Sequence, residues 1–145
     1  MVRLLVVHGA GMELRGIQNI ETFGTMTMAD YTEAIHRYAR ELDIHAQVFH
    51  SLKADALIEQ LRTCTSEGIQ GVLINPAGFT VGHPEIAQAI RATGLASAEV
   101  HVSNPAARSL VSSIAPGTTS VVAGFGVAGY RLAMLGLREL ILAPR

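Results

Sequence analysis

Val2-Arg3-Leu4-Leu5-Val6-Val7-His8 (VRLLVVH) is followed by sixteen residues, GAGMELRGIQNIETFG at 9–24, before any helical pattern begins. The run is apolar without alternation, as expected of a strand covered on both faces by helices in a parallel sheet. Four further stretches rich in valine, isoleucine or alanine repeat the theme: Ala46–Ser51, Gly71–Asn75, Ala98–Ser103 and Ser120–Gly124. Amphipathic stretches separate them, so the chain reads as successive βαβ units.

Thr27-Met28-Ala29-Asp30 is a capping box that opens a helix to about Leu42, with Tyr31, Ile35, Tyr38 and Leu42 on one face. A second helix is predicted from about Ala54 to Ser66, before Gly68. A third starts near Pro84 and stops at Gly94, and the last runs from about Val127 to Leu142. Five strands and four main helices in one domain of residues 1–145 suggest an α/β, flavodoxin-like three-layer sandwich. Its five-stranded parallel sheet would have the order 2-1-3-4-5, although periodicity does not reveal order.

Composition narrows the function. A net charge of −1 supplies no basic field, which argues against nucleic acid as a partner. The single lysine, Lys53, lies in a polar stretch, a poor setting for Schiff-base chemistry. Cys64 stands alone, which excludes an internal disulfide and a multi-cysteine metal site, and it reads as a small apolar residue on a helix. No metal or cofactor is expected. The N-terminal apolar run is too short for a signal peptide and no run approaches ~18 residues, so a cytoplasmic protein without membrane contact is expected.

Gly124-Phe125-Gly126-Val127-Ala128-Gly129 matches the dinucleotide fingerprint GxGxxG. It follows the last strand, with no βαβ unit after it and no acidic ribose partner downstream, so close helix–sheet packing explains it better.

Ligands of such sheets bind beyond the carboxyl ends of the strands, which directs attention to three loops. The loop at 9–24 exceeds the two to six residues usual for a βα connection and reads as a functional lid. The second, Asn75-Pro76-Ala77-Gly78-Phe79-Thr80-Val81-Gly82-His83-Pro84, has small residues such as Gly78 that let backbone amides face a ligand. Asn75 can offer its side-chain amide there, and His83 serves as a capping or an acid–base residue. The third is Glu99-Val100-His101-Val102-Ser103-Asn104-Pro105. Alternation sets Glu99, His101 and Ser103 on one face, where the carboxylate would orient the imidazole and favour its protonated form.

Together the three loops resemble the type II 3-dehydroquinate dehydratases over nearly the whole chain. Leu73-Ile74-Asn75-Pro76-Ala77-Gly78-Phe79-Thr80 is similar to that family's LNAGG segment, Glu99–Asn104 to its EVHISN, and Gly124 through Tyr130 to its closing G-x-G-x-x-G-Y. The resemblance implies a flavodoxin-like, trimer-based homo-oligomer, typically a dodecamer. It also implies an anti elimination of water through an enolate, in which a lid tyrosine activated by an arginine takes the proton. His101 would protonate the departing hydroxyl, while Asn75 and the backbone amides of Val102 and Ser103 hold the substrate carboxylate.

Here the pattern breaks at several positions. Phe23 stands for the tyrosine, Gln18 for the activating arginine, and Gly11 for an asparagine that positions a water. Val81 replaces a histidine that binds ring hydroxyls and Ser112 an arginine that contacts substrate, whereas Arg108 matches. Three functions are therefore open. The chain is a lyase acting on another small, cyclic hydroxy-carboxylate, with Glu21, Glu13 or His8 as the replacement base and Arg15, Gln18 and Phe23 in the lid. Alternatively it is a non-catalytic carboxylate-binding or scaffold relative, or a weak 3-dehydroquinate dehydratase. For the first, burial would raise the pKa of a lid carboxylate toward neutrality.

Overall fold

The computed structural model describes residues 1–144. Five parallel strands, β1 (Val2–His8), β2 (Ile44–His50), β3 (Gly71–Asn75), β4 (Ala96–His101) and β5 (Ser120–Ala123), form one sheet in the order β2-β1-β3-β4-β5. The helices are α1 (Ile20–Phe23), α2 (Met28–Glu41), α3 (Ala54–Cys64), α4 (Pro84–Ala92) and α5 (Ala128–Leu142). The alternation predicts the strands and their covering helices, and the strand order is that of the expected flavodoxin-like sheet.

Strand β1 shows why its sequence carries no alternation. Leu4 and Val6 face one layer, with Tyr31 and Ile35 of α2 and Tyr130, Met134 and Leu137 of α5. Leu5 and Val7 face the other, with Leu57 and Leu61 of α3 and Ile86 and Ile90 of α4. Both faces are dry, and each of these aliphatic side chains contributes about 1.5–3 kcal/mol by leaving water. The capping box of α2 forms as expected: Asp30 N–H donates to Thr27 Oγ1 at 3.2 Å and Thr27 N–H to Asp30 Oδ2 at 2.9 Å.

Several boundaries differ from expectation. Strand β2 begins at Ile44, because Asp43 turns the chain in the left-handed region (φ 55°) and Ile44 pairs at once with Val2. Strand β4 runs over Ala96–His101 and not to Ser103. Its partner β5 ends at Ala123, opposite His101, and Gly124 (φ 92°) leads the chain away. The side-chain alternation therefore stops at His101, and Ser103 does not share its face as a strand residue would. The lid is also more ordered than a plain loop, with a 3₁₀ turn at Met12–Leu14 and the single helical turn α1.

The glycines of the late GxGxxG act in packing. The Gly124 and Gly126 amides donate to the carbonyls of His101 and Val102, at 3.2 and 2.9 Å. Gly129 packs against Val100 and Val122, where an added Cβ would sit 3.5–3.6 Å from their methyls. The motif thereby braces the end of β4, where His101 is mounted.

Candidate active site

The carboxyl ends of β1, β3 and β4 bring His8, Asn75 and His101 to one edge of the sheet. Above them lies a cavity of about 320 Å³, lined by the lid residues Arg15, Gln18 and Phe23, by Gly78 and Thr80 after β3, and by His101 and Arg108 after β4. Its size is near the lower end for small-molecule sites.

His101 is held from behind. Its Nε2 hydrogen-bonds Glu99 Oε2. Glu99, 1% exposed, accepts a hydrogen bond from the Ser112 hydroxyl on its other oxygen at 2.8 Å. Ser112 Oγ in turn accepts from the amides of Ile114 and Ala115 at 3.0 and 3.1 Å. With Nε2 engaged, Nδ1 is the nitrogen left to exchange a proton, on a ring whose tilt the carboxylate fixes. Glu99 thus positions His101 and does not line the cavity. Ser112, where the resemblance implies an arginine, serves this rear support.

The lid supplies guanidinium in place of phenol. Arg15 lays its guanidinium carbon 3.6 Å from the Phe23 ring centre, and Arg108 lies 5.7 Å from the same ring, both within cation–π range. Arg15 is 9% exposed, and its Nε is buried without a hydrogen-bond partner among the described residues. Burial lowers its pKa, against the pull of Tyr31, Tyr130 and Glu13, and Arg108 adds to the lowering. It nevertheless stays charged, as arginine does in proteins. Arg108 Nη1 also donates to Ser103 Oγ at 3.1 Å, so that hydroxyl faces Arg108 and not the imidazole.

Several expected site residues are placed elsewhere. Glu13 accepts the Gly11 amide at 2.6 and 3.0 Å and pairs with His50 of β2 at 3.1 Å. Burial works to raise its pKa, but the Gly11 amide, its own amide and His50 outweigh that and hold the carboxyl below its ordinary value. This is the reverse of the expected shift toward neutrality. Glu21 is exposed on the outer side of α1, away from the cavity. His8 is fully buried beneath the site and borders no part of the cavity.

The segment after β3 also differs. Asn75 is 2% exposed and donates through Nδ2 to the Tyr130 hydroxyl at 3.0 Å, while its Oδ1 accepts from Ala77 N–H. It therefore holds the turn together and does not line the cavity. The Gly78 amide donates to the Ala10 carbonyl at 2.6 Å and so is not free for a ligand. A Cβ at Gly78 would lie 2.6 Å from that carbonyl oxygen. Gly78→Ala is accordingly expected to push the lid from the turn and cost about 1–3 kcal/mol in urea unfolding; an unchanged midpoint would show that the two loops separate freely. Val102 and Ser103 differ from Gly78 in this respect. Neither amide N–H has a protein partner among the described residues, and both lie between His101 and Pro105, which line the cavity.

No group of three His, Cys, Asp or Glu side chains is arranged to hold a metal ion, and no helix is long and apolar enough to cross a membrane, among the described residues. The polar chain Asn75–Tyr130–His8 and the pair Glu13–His50 were not anticipated. Their partners lie 37 to 122 residues apart, and no local pattern joins them.

Residues 2–138 match the family model described as dehydroquinase class II. This chain belongs to that family. The 3-dehydroquinate dehydratase of Desulforudis audaxviator is 36% identical over 143 residues, covering 97% of this chain and 95% of its own. A type II dehydroquinase from Propionibacterium acnes superposes with a TM-score of 0.86 at 27% identity, covering 97% of both chains. That from Butyrivibrio crossotus gives 0.90 at 23% identity, with 94% of this chain and 97% of its own covered. Within that family, this chain places a phenyl ring, two guanidiniums and a carboxylate-backed imidazole around its cavity.

Proposed function

We propose that this chain is a hydro-lyase acting on a small hydroxy-carboxylate other than 3-dehydroquinate, with His101 as its proton-transfer group. One observation carries the reading: His101 is the cavity-lining side chain with a nitrogen able to take and return a proton, because Arg15 and Arg108 stay charged and no carboxylate among the described residues lines the space. Burial raises the pKa of Tyr31, so its phenol is not a base at neutral pH, and its hydroxyl donates to the Phe23 carbonyl at 3.4 Å.

The free amides of Val102 and Ser103 suit one carboxylate beside the imidazole. Nδ1 of His101 takes the proton from the carbon next to the substrate's activating carbonyl, while Glu99 stabilises the imidazolium that forms. The same nitrogen then gives that proton to the hydroxyl that departs as water. One group in both roles requires hydrogen and hydroxyl on the same face of the substrate, so the elimination is syn. The exposed edge strand β5, with Val121 and Phe125 in solvent, supports assembly of copies of this chain as part of the same proposal.

The second reading, 3-dehydroquinate as substrate, is favoured by the name of the relative at 36% identity. Absorbance of the conjugated enone product separates the two. Wild type is expected to convert 3-dehydroquinate barely above background. Phe23→Tyr, which sets a phenol against the Arg15 guanidinium already stacked at 3.6 Å, is expected to raise that rate roughly 10- to 100-fold. An ordinary enzymatic rate in wild type would overturn the proposal in favour of the second reading.

A further inference from the structure

A monocarboxylate held by the Val102 and Ser103 amides beside His101 leaves the lid side of the cavity unexplained. That side carries the two guanidiniums, and no carboxylate among the described residues lines the cavity to balance them. Glu99 is engaged with His101 and Ser112, and Glu13 with Gly11 and His50. The Arg15 side chain makes no salt bridge or hydrogen bond among the described residues, and its buried Nε has no acceptor. Its packing is on the flat face of Phe23, which fixes the plane of the guanidinium while leaving its N–H edge without a partner.

A buried, charged donor without an acceptor is costly, and a planar fork is matched by the paired oxygens of an anion. Ring stacking also removes rotamer freedom from Arg15 in advance, which lowers the entropy lost when an anion is gripped. Phe23 serves this arrangement better than a tyrosine, because a phenol beside Arg15 would be drawn toward ionisation and would itself become the counter-charge.

We propose that Arg15, seated on Phe23 and joined by Arg108, is a second anion subsite, so that the natural ligand carries two acidic groups: a dicarboxylate or a phosphorylated hydroxy acid. The inference rests on the reading of the cavity as an acid site and narrows it to a dianion.

The test is calorimetric binding to the full chain of cyclohexanecarboxylate, cis-cyclohexane-1,3-dicarboxylate, cyclohexane-1,4-dicarboxylate and 3-phosphoglycerate. At least one probe with two acidic groups is expected to bind about tenfold or more tightly than the monoacid. A dicarboxylate winner and a phosphate winner identify the source of the second charge. Arg15→Met should abolish the preference, bringing the two-acid probes down to the affinity of the monoacid, and Arg15→Lys should keep part of it. Arg62→Met, at an exposed residue paired with Glu59, controls for general charge and should change nothing. If Arg15→Met does not fold, Arg108→Met tests the other guanidinium and should weaken the preference. Equal affinity for mono- and dianions, or a preference that survives Arg15→Met, overturns the second subsite alone. Failure of every probe to bind overturns the acid cavity and the subsite together.

Discussion

His101→Ala is expected to lower turnover of the chain's hydroxy-carboxylate substrate by roughly 10²–10⁴-fold while the protein stays folded. The size follows from the inventory of the cavity, since no second lining group replaces a lost imidazole. Glu99→Gln should act through the same ring, because Glu99 touches His101 and Ser112 and does not line the cavity. Groups that work as one unit are not additive, so the double variant should be hardly slower than His101→Ala alone. Steady-state rates with a panel of cyclic hydroxy-acids that includes 3-dehydroquinate check this, with the urea midpoint as the control for folding. Equal rates in wild type and His101→Ala would remove catalysis from His101 and leave a carboxylate-binding protein.

The second large effect concerns stability against pH. His8 has no exposed surface, and its Nε2 accepts a hydrogen bond from the Tyr130 hydroxyl over 3.0 Å. Tyr130 donates because its own pKa is raised by burial, against the hydrogen bond it accepts from Asn75. Burial first, then the nearby charges of His50 and Arg15, lower the His8 pKa to about 4 from an ordinary 6.5. Between those values the unfolded chain binds a proton that the folded chain refuses, so stability rises with pH across the window. The contribution is fully present above pH 6.5, is lost as pH falls, and amounts to about 3 kcal/mol by pH 4.

Unfolding free energies from urea titrations between pH 4 and 7 test this by comparing wild type with His8→Gln. Glutamine does not titrate and still accepts from Tyr130. Other groups also lose stability in acid, including Glu13 and Glu85, whose pKa values are both lowered in the fold. They contribute equally to both proteins, so the difference isolates His8. Parallel curves would show that His8 is solvated or charged in the native state.

Much of this architecture follows from patterns written along the chain. The unbroken run at 2–8 and the capping box at 27–30 specify a doubly covered strand and a helix start through side-chain period and local hydrogen bonding. The i, i+2 spacing of Glu99 and His101 placed carboxylate beside imidazole, since any strand sets those residues on one face. The fold, the layers and the mounting of His101 were therefore legible before any tertiary contact was known.

What each loop group faces was not. Ser103 left the shared face because β5 ends opposite His101, and only the neighbouring strand sets that limit. Glu13 looked like a base until His50, from another strand, and the Gly11 amide took its oxygens. Gly78 looked like a free donor until the Ala10 carbonyl claimed its amide. Arg15 met Phe23 inside a lid that no repeat governs. Period and capping are encoded within a few residues, whereas a polar group's partner is decided by which distant segments the packed sheet brings within 3 Å of it. That is why the sequence by itself determined the scaffold and its histidine, and the tertiary structure alone decided which charges reach the cavity.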